Sequence, residues 1–122
     1  MKNAKIISSL SLIAVILIVT NCSAAGSEPS AEEIEFFEKQ VQPILAENCY
    51  KCHSHQADKI KGSFVLDSRE GLLKGGETGP AIVPGEPEKS LLIKAVRRID
   101  EDLQMPPKKT LPAEQIDTLP SG

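Results

Sequence analysis

Two thiols and an imidazole fall within one five-residue stretch, Cys49-Tyr50-Lys51-Cys52-His53. Residues three apart share one face of a helical turn. Cys49 and Cys52 can therefore both reach one edge of a porphyrin and form thioether bonds to its vinyl groups. His53, held by the same turn, can offer a ring nitrogen to the iron. The spacing C-x-x-C-H is the attachment signature of a c-type haem; Tyr50 and Lys51 fill the spacer positions and need no chemical role.

Three other chemistries fit parts of the pattern. A dithiol redox pair also reads C-x-x-C, but its usual βαβ setting is not visible here. A zinc site wants four tetrahedral ligands. Only Cys49, Cys52, His53 and His55 are near, and adjacent Cys52 and His53 serve one ion poorly. A disulfide across two residues is strained. Haem needs a sixth ligand as well. Once a leader is removed, Met105 is the one methionine left, in Leu103-Gln104-Met105-Pro106-Pro107. A thioether suits haem iron and raises its potential, and the paired prolines stiffen the loop around it. An ordinary buried methionine is the competing reading; Lys108, Lys109 or an open site are the other occupants of the sixth position.

Several helices must carry these groups. Ser30 and Glu33 form the pattern of a capping box, with Glu32, Glu33 and Glu35 where a helix dipole favours negative charge. Ile34, Phe37, Val41 and Ile44/Leu45 then repeat at helical spacing, and Pro43 should kink or restart the helix just before Cys49. A polar loop, 54–62, contains His55; two residues from His53, it cannot cross to the opposite face of a haem and is read as surface. Ser63-Phe64-Val65-Leu66 is a short extended apolar run. Asp67 and Glu70 suggest a second capping box and a short helix through Leu72 and Leu73.

Gly75-Gly76-Glu77-Thr78-Gly79-Pro80 lacks the Lys-Ser/Thr pair and strand–helix frame of a phosphate loop, so a tight backbone turn is expected. Pro87 opens another helix, with Leu91, Leu92, Ala95, Val96 and Ile99 on its apolar face and Lys89, Lys94, Arg97 and Arg98 elsewhere. The segment 111–119 is a last short helix with Pro112 near its first turn.

At 122 residues the chain has room for one domain. Its formal net charge of −3 argues against nucleic acid and against adsorption to anionic lipid. It contains no Trp, one Tyr and three Phe, so its core is thin, and a buried haem would supply apolar mass. Residues 1–25 read as an export leader: Lys2 and Lys5, then an apolar centre from Leu10 to Val19 that is short for a spanning helix. An uncleaved membrane anchor is the alternative. Cleavage after Ala25 competes with a lipoprotein box ending at Cys22, where Asn21 fits poorly. Either outcome puts the mature protein in the periplasm or otherwise outside the cytoplasm, with membrane association possible through the leader or a lipidated Cys22. Residues 26–33 are a short tether and 34–122 the domain.

Taken together, Phe37-x-x-x-Val41-x-Pro43-Ile44-Leu45, Cys49-x-x-Cys52-His53, Leu66-Asp67-Ser68-Arg69, Gly75-Gly76-x-x-Gly79-Pro80-Ala81, Pro84-Gly85-x-Pro87-x-x-Ser90-Leu91-Leu92 and Met105-Pro106-Pro107 resemble the planctomycete-type cytochrome c domain, a class I-like, single-haem domain. The resemblance spans roughly residues 34 to 119. It implies a small all-α fold of three to four helices around covalent haem c, with first and last helices packed together. It also implies that Cys49 and Cys52 anchor haem, His53 is the proximal ligand and Met105 the distal one. The family's final helix normally runs on through a Trp-containing stretch; here Leu119-Pro120-Ser121-Gly122 cuts it short. The expected function is one-electron transfer between a redox donor and acceptor protein, with no nucleophile–base pair or carboxylate dyad to suggest an enzyme. A haem-bearing sensor or interaction module, and a haem-free thiol or zinc module, are the alternatives.

Overall fold

A computed structural model describes residues 28–121, and the leader and Cys22 lie outside the described residues. The regular structure of the described chain is helical, apart from one isolated bridge between Gly76 and Gly79, as an all-α fold requires. None of its helices is long and apolar enough to cross a membrane.

The first helical rod is three pieces joined end to end: α1 (Ala31–Phe36), a π turn (Phe37–Val41) and α2 (Gln42–Asn48). The capping box that starts it is present in full. The Glu33 amide donates to Ser30 Oγ at 3.2 Å and the Ser30 amide to Glu33 Oε2 at 2.7 Å. These contacts, the Ser30 backbone amide first, hold the Glu33 carboxyl below its usual range. Helix begins at Ala31, inside the segment assigned to the tether. Pro43 neither breaks nor visibly restarts the rod. Its ring would crowd the carbonyl four residues back. The preceding turn widens, and the Gln42 amide reaches five residues back to the Phe37 carbonyl.

After the polar loop come a 3₁₀ turn (Lys61–Ser63), α3 (Arg69–Lys74), a second 3₁₀ turn (Pro87–Lys89), α4 (Leu91–Val96) and α5 (Ala113–Thr118) with a terminal 3₁₀ turn (Leu119–Ser121). Three expectations need correction. Pro87 opens only the 3₁₀ turn, and Ser90, in extended backbone, separates that turn from α4. The cap of α3 is Ser68, whose Oγ accepts from the Gly71 amide at 3.1 Å; Asp67 is one residue too early and turns to His55 instead. On α4 the buried side chains are Ile93, Ala95 and Val96, while Ile99 is 66% exposed. The helix ends at Val96 and Arg98 takes a positive φ of 56°, so the 3.6-residue periodicity no longer governs position 99.

The core gathers Val41, Ile44 and Leu45 from the rod with Leu66, Leu72, Ile93, Val96, Leu111 and Leu119. The first and last helical regions thus share one core. Leu45, Leu66 and Val96 are its most enclosed side chains; each contributes about 2 kcal/mol or more by burial. All four aromatic residues, Phe36, Phe37, Tyr50 and Phe64, are only partly buried and lie at the margin of this aliphatic core.

The glycine turn braces the segment that ends in Phe64. The Glu77 amide donates to the Gly62 carbonyl at 3.0 Å, and Ser63 Oγ donates to Glu77 Oε1 at 3.0 Å. Gly75 has φ +71°, and a Cβ there would stand 1.9 Å from the Gly79 carbonyl oxygen. Gly75→Ala is therefore expected to destabilise the domain by about 2 kcal/mol or more, read as a lower urea midpoint at unchanged slope; equal midpoints for the two proteins would contradict this turn.

Candidate functional site

The five-residue motif begins where α2 ends. The Cys49 amide donates to Leu45 O at 2.8 Å, and the Cys52 and His53 amides both return to Cys49 O, at 3.1 and 3.0 Å. These bonds wind Cys49 to His53 into one more turn at the end of the rod, as the spacing requires. Buried Ser54 closes it by donating its hydroxyl to Tyr50 O at 2.7 Å, a part that nothing in the motif announces. Both cysteines are free thiols, each half-buried.

His53 is oriented from a distant part of the chain. Its Nδ1 lies 3.3 Å from the Phe64 carbonyl. A carbonyl can only accept, so Nδ1 must donate and the lone pair falls on Nε2. This is the tautomer that a metal-ligating histidine needs. The Phe64 ring packs against the imidazole at a centroid distance of 5.3 Å. The two segments are further joined by Leu66 N to His53 O at 2.9 Å and Lys61 N to Cys52 O at 3.0 Å. Ser63 closes the 3₁₀ turn with φ +51°, so the run expected over 63–66 is extended only from Phe64, and it has a role that the sequence did not disclose: its backbone sets the imidazole.

His55 is exposed, as expected, but not idle. Its amide and its Nδ1 both meet the Asp67 carboxylate, each at 2.8 Å. Desolvation works to raise the Asp67 pKa, but these His55 contacts together outweigh it and leave the carboxyl below its ordinary range. Among the described residues no three His, Cys, Asp or Glu side chains are grouped to hold a metal ion. A zinc site using His55 therefore gains no support from the geometry.

Met105 stands on a separate segment, half-buried, with a cis peptide to Pro106. Its amide donates to Ala95 O at 3.0 Å, at the end of α4. The positive charge of Lys109, four residues on, acts on the Cys49 thiol. Arg98, read from the sequence only as a basic helix-end residue, spans both flanks of Met105. It donates from Nη2 to Gln104 Oε1 at 2.6 Å and from Nη1 to Pro106 O at 3.0 Å.

Burial pushes the Cys49 pKa up to about 11, against an opposing pull from Lys109. A raised pKa favours the neutral thiol. That contribution to stability is complete below the ordinary value of 9.0 and fades as pH rises through about 11. In the folded, haem-free chain Cys49 should then alkylate at pH 8 roughly tenfold more slowly than in the urea-unfolded chain, the loss of thiolate being partly offset by its greater nucleophilicity. Equal rates measured by peptide mapping would contradict the burial.

These residues fit a c-type haem on their own chemistry. Two thiols share a turn with an imidazole whose Nε2 is free, and the half-buried Cys49, Tyr50, Phe64, Ile82 and Leu92 give the core an apolar margin. No curated protein and no solved structure matches the chain. A family model described as Planctomycete cytochrome C matches residues 49–109, from the first thiol through the Met105 segment to Lys109. That match covers half of the chain and both segments of the candidate site, and the chain belongs to the planctomycete cytochrome C family.

Proposed function

We propose that this domain is an exported one-electron carrier with a single haem c, fixed by thioether bonds to Cys49 and Cys52 and ligated by His53 and Met105. When bound, haem c supplies the one-electron Fe(II)/Fe(III) couple. The chain's own residues bind and orient. Cys49 and Cys52 tether; the Phe64 carbonyl holds the His53 ring so that Nε2 is the free nitrogen; the apolar margin keeps water from the iron. The single observation that carries the reading is this imidazole, tautomer set and on the same turn as two free thiols.

Nothing in the site resembles substrate chemistry. Exposed Lys51, between the cysteines, and exposed Lys109, acting on Cys49, place positive charge beside the attachment turn of a net acidic chain. Redox partners with an acidic docking rim suit that distribution, and their association should slow as salt is added.

The test is expression with haem-attachment machinery, followed by intact mass, an absorption spectrum and a redox titration. One haem per chain, resistant to extraction, with a reversible one-electron transition, is expected. A colourless product with alkylatable Cys49 and Cys52 would refute the reading. The same mass reports whether the leader is removed and whether Cys22 carries lipid.

A further inference from the structure

Arg98 adopts φ +56°, a left-handed conformation that a side chain bearing a Cβ takes only against a cost. What offsets that cost is a grip on one short segment. Nη2 donates to Gln104 Oε1 at 2.6 Å, and Nη1 donates to Pro106 O at 3.0 Å and to Lys109 O at 3.3 Å. The residues before and after Met105 are thus bound by the same guanidinium. Between them the Met105 amide is pinned to Ala95 O, which also accepts from the Arg98 amide at 3.2 Å. The end of α4 thus holds the Met105 amide through Ala95 O, and Arg98, two residues past the helix, holds the residues on either side.

We propose that Arg98 is a positioning residue for the distal ligand: its three-point clasp holds the Met105 segment so that the thioether stays at the iron. This rests on the reading of Met105 as that ligand. Arginine suits the task because its planar fork serves several acceptors at once and never loses its charge. A lysine can place only a point charge, and a methionine of similar length places none. Without the clasp the segment opens more often. A competing ligand binds only the open form, so its apparent affinity rises with the open fraction. Each hydrogen bond from a charged donor is worth roughly tenfold in that equilibrium.

The experiment uses the full chain with covalent haem, as wild type, R98M, R98K, Q104L and M105A. It reads the sulfur-to-ferric-iron charge-transfer band and the apparent affinity for added imidazole, with haem content and far-UV dichroism confirming the fold. The R98M protein is expected to lose most of the band and bind imidazole at least about tenfold more tightly than wild type, with R98K and Q104L in between. An R98M protein with the wild-type band and imidazole affinity overturns the role of Arg98 while leaving Met105 as the ligand. A wild type indistinguishable from M105A overturns the Met105 reading, and the role of Arg98 with it. If R98M does not fold, R98K and Q104L decide: a weakened band and tighter imidazole binding in both supports the clasp, and wild-type behaviour in either overturns it.

Discussion

His53→Gly should yield a protein that still carries its haem by mass but has lost the proximal side of its iron site. The argument starts from which atoms the substitution removes. In the proposed site the thioether tethers belong to Cys49 and Cys52, and the turn that would present them is held by backbone bonds from Cys52 N and His53 N to Cys49 O. Glycine retains that amide, and it retains the carbonyl that accepts from Leu66 N at 2.9 Å. What goes is the ring: its contact with Phe64 and its Nδ1 bond to Phe64 O. The stability cost should be about 1–2 kcal/mol, for a half-buried ring and one hydrogen bond. Ligation, by contrast, should change altogether. The spectrum is expected to lose the signature of an imidazole-ligated iron and recover it when free imidazole fills the space. An unaltered spectrum, with no response to imidazole, would remove His53 from the site.

That experiment concerns residues whose proposed roles could be read from the sequence because they are local. The five-residue motif is chemistry written in consecutive positions, and the capping box of Ser30 and Glu33 is complete within three residues of spacing. Local signals failed where two neighbouring residues could do the same job. Asp67 and Ser68 both cap helices well; the pairing of Asp67 with His55, twelve residues away, left the cap to Ser68. Ile99 fitted an apolar stripe, but the stripe presumes an unbroken helix, and Arg98 leaves helical geometry to reach the Met105 segment. The π turn before Pro43 was invisible for a related reason. A proline forbids one helical hydrogen bond, but whether the chain kinks or widens is settled by what Val41, Ile44 and Leu45 must bury. Hardest of all to read was the backbone. The Phe64 carbonyl that orients His53 would be offered by any residue at that position, so no residue type marks it.

Met105→Ala is the substitution with the clearest electrical consequence. In the proposed site the Met105 thioether is a neutral ligand that favours ferrous over ferric iron, so its loss should lower the potential. Axial ligands move haem potentials across about 0.8 V, and one ligand exchanged for water or nothing should account for a drop on the order of a hundred millivolts or more. The fold should tolerate the change. Met105 is only half-buried, and alanine keeps the amide that donates to Ala95 O and leaves the Arg98 bonds to Gln104 and Pro106 in place. A stability loss of about 1–2 kcal/mol covers the missing side chain. The opened position should then bind carbon monoxide or imidazole readily, where the wild type resists both. Lys108 and Lys109 lie close in sequence, and Lys109 already acts on Cys49. If one of them took the vacated site, resistance to added ligands would return as pH rises and the ammonium deprotonates, whereas an empty or water-bound site would stay open. Potential and ligand affinity both equal to wild type would show that the sixth ligand lies elsewhere, and the pH dependence of the wild-type spectrum would then indicate whether a lysine supplies it.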